Sequence, residues 1–135
     1  MNIQCADRKI QIIGRRVVLI LVNLPFIEGV SEGDIRTIQR LTALNQKTVD
    51  ILFYRHWSPF YTVLAKSDVG GTKMWLNLWQ MNRSDASLSG TVAHELTHVM
   101  GYVHCGNKPT GDNLLTVPFL VGKKVKEIYE KLYGG

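Results

Sequence analysis

The chain has 135 residues, a length that suits one compact domain. Hydrophobic residues make up 45% and charged residues 20%, which indicates a globular protein with a hydrophobic core. The net charge of +5 comes from cations spread along the chain, and the short basic run at 122–126 is typical of a solvated helix face. We therefore expect no nucleic-acid partner, and a monomer by default.

The two cysteines, Cys5 and Cys105, are too few for a disulfide framework, although a single bridge between them stays open. The run at 15–26 resembles a weak signal peptide, but its apolar part is short and no small-residue cleavage site follows. It is also too short to span a membrane. We expect no encoded export signal, which favours the cytoplasm unless a leader has been removed.

The predicted elements begin with a weakly alternating segment at 9–13, which Gly14 turns back onto a central strand at 16–22. Valine and isoleucine dominate this second run, as they do in buried strands. Ser31 begins a helix, with Asp34 as its capping-box partner and a stop at Asn45. The apolar face of this helix consists of Ile35, Ile38, Leu41 and Leu44.

Three strand-like runs follow, at 48–57, 60–66 and 73–81, with turn chemistry at 67–71. The last run alternates strictly and is predicted to be an edge strand. One side carries Met74, Leu76 and Leu78, and the other carries Trp75, Asn77 and Trp79. The tryptophans of the second side either pack or line a cleft.

A helix that begins at Ser84 or Asp85 comes next, followed by a polar loop at 105–115. Pro118 lies in the first turn of a last helix. The apolar stripe of that helix consists of Val121, Val125, Ile128 and Leu132. The order predicts an α+β sandwich, in which a mixed sheet with a backing helix precedes a central helix and a C-terminal helix. We expect a single domain, with an N-terminal lobe of about 1–100 and a small C-terminal lobe of about 101–135.

Three of the four histidines lie in the stretch HELTHVMGYVH, residues 94–104. His94 and His98 are four residues apart, so both point from one helix face, while Glu95 projects about 100° further round. His104 joins them only if the helix ends first. Gly101 is placed to end it, because glycine accepts the left-handed conformation that reverses the chain.

Three neutral imidazoles with a fourth position open to water are the coordination expected of catalytic zinc. We therefore predict one zinc ion bound by His94, His98 and His104. Glu95 is placed to take a proton from water activated at the zinc and to deliver it to a leaving amine. Cys105 follows His104 directly and is expected to point away from the metal. An ordinary helix with three unligated histidines is the alternative.

Residues 94–104 resemble the long zinc-binding consensus of the metzincin metalloproteases. The resemblance implies a zincin-like fold and a zinc endopeptidase, with the three histidines as ligands and Glu95 as general base and acid. It also implies that an edge strand binds peptide by strand addition, a place that 73–81 occupies. The substrate-binding residues implied are Trp75, Asn77, Val99, Pro118 and Phe119.

The chain departs from the metzincin pattern in one respect: no methionine follows Met100, so the methionine turn beneath the zinc lacks its residue. Val117, Pro118 and Phe119 are expected to form an apolar floor there instead. Cys5 stays open as a surface thiol or as a latency switch on the zinc. His56, in the run at 54–57, is expected to be a plain strand-end histidine.

Two other functions stay open at this point. The same site suits hydrolysis of a non-protein amide or of a cell-wall peptide, as in a toxin or lysin. A non-enzymatic module, in which zinc only stabilises the fold, requires that the fourth coordination position of the zinc is closed and that Glu95 takes no part in chemistry.

Overall fold

The computed structural model describes residues 1–44, 46–57, 64–104 and 115–135. The fold is α+β, as predicted. The strands are β1 (Asn2–Cys5), β2 (Thr48–Tyr54), β3 (Ala65–Ser67) and β4 (Lys73–Asn77), and a short 3-10 helix, Leu78–Gln80, follows β4. The helices are α1 (Arg8–Val22), α2 (Glu32–Ala43), α3 (Asp85–Val99) and α4 (Val117–Tyr133). The predicted helix stop at Asn45 and most of the predicted strand at 60–66 and loop at 105–115 lie outside the described residues.

The four strands form one mixed sheet in the order β1-β2-β4-β3. β1, β2 and β4 run parallel, and β3 pairs antiparallel with β4. The prediction that 73–81 is an edge strand is therefore wrong, because β4 lies between β2 and β3. The alternation of 73–81 holds only to Leu76: Met74 and Leu76 are fully buried, but Leu78 is exposed in the 3-10 helix.

The predicted strand at 16–22, and the turn at Gly14, are also wrong, because α1 runs through both. The physical reason lies in the spacing of the buried side chains: Ile10, Ile13, Val17, Ile20 and Leu21. These recur every three to four residues, which is the helical period. Packing of this stripe in the core outweighs the strand preference of the β-branched residues. Asp7 begins the helix by accepting a hydrogen bond from the backbone N–H of Ile10 at 3.0 Å.

The N-caps predicted at Ser31 for α2 and at Ser84 for α3 are confirmed. Ser31 Oγ accepts a hydrogen bond from the backbone N–H of Asp34 at 3.1 Å, and Ser84 Oγ accepts one from that of Ser87 at 3.1 Å. In α4, Val121 and Val125 are buried as expected, but the stripe continues through Tyr129, whereas Leu132 is exposed. α4 packs on α1 and most extensively on α3.

The contact between α3 and α4 is made backbone to backbone at two glycines. A Cβ on Gly122 would lie 2.9 Å from the carbonyl oxygen of Gly90 and 3.3 Å from Cβ of His94. Neither atom belongs to the flexible end of a side chain, so a methyl group there forces the helices apart. The two glycines therefore let α4 approach the histidine-bearing segment of α3.

We expect Gly122→Ala to lower the free energy of unfolding by about 1–3 kcal/mol, the usual cost of overpacking. The same change at Gly33 is the control, since a Cβ there meets only Ser31 Oγ, at 3.9 Å. Gly33→Ala is expected to be neutral or to stabilise by up to about 1 kcal/mol, the helix preference of alanine. Chemical denaturation of both variants tests this, and equal stabilities would contradict the close helix contact.

Candidate metal centre

α3 is the scaffold of the histidine cluster, and it is buried on most sides against α1, α4, β3 and β4. Its N-terminus is fixed by the Ser84 cap and its register by this packing. His94 and His98 lie one turn apart on the face that borders the main cavity. The cavity has a volume of about 830 Å³ and lies beside α3 and α4.

Gly101 ends α3 as predicted, with a φ of 107° in the left-handed region. Its N–H donates to the carbonyl of His98 at 2.9 Å, and the N–H of Tyr102 donates to the carbonyl of Thr97 at 3.0 Å. This pair of hydrogen bonds is the Schellman motif. The reversed chain then brings His104 back to the two helical histidines, so the predicted role of Gly101 is confirmed.

The Nε2 atoms of the three histidines form a nearly equilateral triangle. The separations are 2.9 Å between His94 and His104, 3.1 Å between His98 and His104, and 3.2 Å between His94 and His98. Tetrahedral zinc with bonds of about 2.0–2.1 Å would space its nitrogen ligands by about 3.3–3.4 Å. The donor set and the triangle therefore fit a zinc ion.

The hydrogen bond made by the other nitrogen of His98 supports a metal at this point. Nδ1 of His98 lies 2.7 Å from the carbonyl oxygen of Tyr102. A carbonyl can only accept, so Nδ1 of His98 donates, which leaves its Nε2, beside those of the other two rings, to bind a metal. Burial, together with His98 and His104, lowers the pKa of His94 to about 3, so its imidazole is neutral at pH 7.

The loop that carries His104 is anchored to α2. The hydroxyl of Tyr102 donates to Oδ1 of Asp34 at 3.0 Å. Burial and the hydrogen bond to Asp34 raise the pKa of Tyr102 to about 12, so the phenol stays a donor throughout the neutral range. Tyr102 thus connects α2, through its side chain, with the backbone carbonyl that orients His98.

Glu95 lines the same cavity as the three histidines and is only 6% exposed. Its Oε2 accepts a hydrogen bond from the hydroxyl of Ser67, at the end of β3, at 2.7 Å. Burial raises the pKa of Glu95 to about 7, against the smaller opposing effect of the Ser67 hydrogen bond. The carboxyl group therefore changes protonation near neutral pH, as a general base and acid requires.

This pKa predicts a pH-dependent stability of the metal-free protein. Glu95 loses its proton near pH 4.5 when unfolded and near pH 7 when folded. At Glu95 the folded state binds more protons between these values, so the contribution of Glu95 to the free energy of unfolding falls as pH rises through this window. The loss due to Glu95 is at most about 3 kcal/mol.

Urea denaturation in chelator at pH 5 and pH 7.5 isolates this loss when the parent is compared with Glu95→Gln, which does not titrate. Both proteins keep the opposite contribution of His94, whose lowered pKa makes stability rise with pH. The stability of the parent relative to the variant is therefore expected to fall between pH 5 and pH 7.5, and a difference that is equal at both pH values would contradict the raised pKa.

Phe119 is the one residue of the predicted apolar floor that lines the cavity among those described. Its ring centroid lies 4.5 Å from that of His94 and 4.7 Å from that of His104. It therefore packs on two ligands of the candidate metal site, where the metzincin resemblance implies a methionine turn. Pro118 is buried in the first turn of α4.

The other implied substrate-binding residues are not among the described residues that line the cavity. Val99 is buried in the core at the end of α3. Asn77 is buried, and its side chain pairs with the backbone of His56: Oδ1 accepts from the N–H at 3.1 Å, and Nδ2 donates to the carbonyl at 2.8 Å. Trp75, on β4, has Lys66 Nζ 5.6 Å from its ring. The strand that borders the cavity is β3, through Ala65, Lys66 and Ser67.

Sequence reasoning missed the other polar residues of the described cavity wall: Lys66, Ser67, Arg83, Ser87, Thr91, Lys123 and Lys126. Ser67 comes from a turn segment and Arg83 from the residue before a helix cap, and neither belongs to a motif. Only the helical spacing of Ser87 and Thr91 before His94 could have indicated a polar extension of the site along α3.

The cysteines are not part of the described cluster. Cys5 ends β1, is absent from the described lining of the cavity, and has its thiol pKa raised by burial. Cys5 is a free thiol, which excludes the bridge to Cys105. Cys105 lies outside the described residues, so its expected orientation away from the metal stays a prediction. Across the described ranges, His94, His98 and His104 form the one group of three or more side chains that could hold a metal ion.

Comparisons with protein-family models, with curated proteins and with solved structures found no match to this chain. The metzincin resemblance of residues 94–104 therefore stays a prediction from the motif. No helix in the described part of the chain is both long and apolar enough to cross a membrane.

Proposed function

We propose that this chain is a zinc-dependent endopeptidase of metzincin type. The observation that carries the proposal is the triangle of three Nε2 atoms, with separations of 2.9–3.2 Å, beside a buried carboxyl group in one cavity. Three imidazoles and a nearby carboxylate are the set that hydrolytic zinc sites use. The substrate is a peptide or protein.

Zinc held by the three histidines would act as a Lewis acid on the scissile carbonyl and would lower the pKa of water. Glu95 then accepts the proton of the attacking water through its carboxylate. It delivers that proton to the amine nitrogen as the peptide bond breaks, so it ends each cycle ionised. Ser67, by donating to Oε2, fixes the carboxylate orientation and favours its charged form. Phe119 packs on two of the three ligand rings, those of His94 and His104.

The test is cleavage of a diverse peptide library by the zinc-loaded protein, followed by mass spectrometry. We expect internal cleavage that a chelator abolishes and added zinc restores. Intact zinc without cleavage of any peptide would contradict the proposal. Binding of a small hydroxamate to the zinc-loaded protein separates this outcome from a purely structural metal, because a hydroxamate needs an accessible coordination position.

A further inference from the structure

The described lining of the cavity is strongly cationic beyond the histidines. Four cationic side chains border it, and Glu95 is the one acidic residue among the described lining residues. The four cations are Lys66, Arg83, Lys123 and Lys126. None of them forms an ion pair with a described residue. The described part of the lining therefore carries an excess of positive charge, to which a bound metal ion would add.

Arg83 is the most constrained of these cations. Its Nε donates to the carbonyl of Gln80 at 2.6 Å, and its Nη1 donates to the hydroxyls of Ser87 at 3.2 Å and Thr91 at 2.8 Å. All three acceptors are neutral. Its Nη2 is buried and has no hydrogen-bond partner among the described residues.

Partial burial of a guanidinium without an anionic partner is costly. Its burial also lowers the pKa of Arg83. An anion in the cavity would supply the missing negative charge. Arg83 is held in place by three hydrogen bonds, so little side-chain entropy remains to be lost when the anion binds.

The distance between Arg83 and the histidines limits how far from the scissile bond an acidic group of the ligand can lie. Thr91 and Ser87 precede His94 by three and seven residues on α3, which places them about 4.5 Å and about 10 Å along the helix axis from it. An extended peptide covers such a span with one to three residues. Lys126 lies opposite, on α4, beyond the close contact of Gly90 with Gly122.

We infer that the end of the cavity between α3 and α4 is a carboxylate-binding subsite, which takes an acidic group within three residues of the scissile bond. Arg83 and Lys126 supply the charge, and the Ser87 hydroxyl, whose oxygen already accepts from Arg83, is free to donate. The peptide substrate in this inference rests on the proposed peptidase function, whereas the binding of a carboxylate does not. The acidic group is an aspartate or glutamate side chain or a terminal carboxylate.

Matched peptides test the preference. Each pair differs only by glutamate or glutamine at one position around a bond that the protein cleaves, and a further pair differs by a free or amidated C-terminus. We expect one acidic form to have a kcat/KM higher by about ten- to a hundredfold, as charge-assisted hydrogen bonds provide. The position of the effect identifies the source of the carboxylate. Ratios near one for every pair would overturn the inference.

Two sets of variants connect the preference with the named residues. Arg83→Gln, and the exposed double variant Lys123→Gln with Lys126→Gln, are expected to reduce the acidic-to-neutral ratio at least severalfold. Lys124→Gln is the control, because Lys124 lies on α4 outside the described lining and pairs with Glu127 at 3.9 Å. Thermal unfolding shows whether Arg83→Gln is folded. If it is not folded, the acidic-to-neutral ratio of the double variant decides the test. Unchanged ratios in folded variants would overturn the inference.

Binding without catalysis separates this subsite from the peptidase proposal. Succinate, with neutral succinamide as control, is titrated into the metal-free protein and followed by NMR. We expect succinate alone to shift the amides of Gly90 and Thr91, and Arg83→Gln to abolish the shifts. Succinate binding in a protein that cleaves no peptide would overturn the peptidase proposal and support the subsite. Peptide cleavage without succinate-induced shifts would support the peptidase proposal and overturn the subsite.

Discussion

Replacing Glu95 by glutamine is expected to lower kcat for peptide cleavage by about 10²–10⁴-fold, the contribution of a general acid and base. Glutamine keeps the shape of the side chain and accepts the hydrogen bond from Ser67, but it cannot take a proton from water. The zinc content is expected to stay at the parental value, because Glu95 is outside the three-histidine cluster. Peptide hydrolysis and metal analysis on the same sample measure both quantities.

Two companion variants sharpen this result. Glu130→Gln removes an exposed carboxylate of α4 and is expected to leave cleavage unchanged. Ser67→Ala removes the 2.7 Å hydrogen bond to Glu95 and is expected to lower kcat more mildly than Glu95→Gln. A Glu95→Gln protein that cleaves at the parental rate would disprove the proposed role of the carboxylate.

Replacing His104 by alanine is expected to weaken zinc binding by more than about a hundredfold. Loss of a group that only orients a metal ligand usually weakens binding by about ten- to a hundredfold, and loss of a ligand itself is expected to cost more. Two Nε2 atoms remain, and they come from a single helix turn. In the parental protein, free zinc at a hundred times its Kd is expected to add about 2.7 kcal/mol to the free energy of unfolding. His104→Ala loses most of this stabilisation. Zinc titration and thermal unfolding with and without zinc measure the effects.

His56 is the matched control, since it is the one remaining histidine and lies outside the described lining of the cavity. His56→Ala is expected to keep parental zinc affinity, because Asn77 holds the backbone of residue 56 rather than its ring. Zinc binding that survives in His104→Ala would mean that the metal is not held by all three histidines.

The histidine site could be predicted from the sequence because its geometry is local. Eleven consecutive residues contain two ligands one helical turn apart, a glycine that ends the helix and a third ligand after the turn. The observed φ of Gly101 and its two flanking hydrogen bonds follow from the same rules. Tertiary contacts are needed only to place the site in the fold.

The errors in the predicted fold arose where one sequence pattern fits two structures and tertiary packing decides between them. Residues 16–22 have strand-forming composition, yet the buried stripe that includes Ile10 and Val17 follows a helical period. The run at 73–81 alternates as a strand, but alternation cannot show whether a strand lies inside a sheet or at its edge. Strand order follows from pairing between distant segments, which one sequence does not contain.

The polar surroundings of the site were missed for a related reason. Ser67 and Glu95 are 28 residues apart, and the guanidinium of Arg83, which precedes α3, meets Thr91 only because its side chain lies along the first turns of that helix. Each residue alone is a common surface type. Their significance depends on burial and on partners that only the folded chain provides.

The hydrogen bond between Tyr102 and Asp34 joins residues 68 positions apart and carries a thermodynamic consequence. If docking of α2 improves zinc affinity through the Tyr102 carbonyl, linkage requires zinc to stabilise the docked α2 by the same factor. Amide hydrogen exchange in α2 then slows when zinc binds, although α2 supplies none of the three ligands. Tyr102→Phe uncouples the two, so that the metal no longer protects a helix that it does not touch.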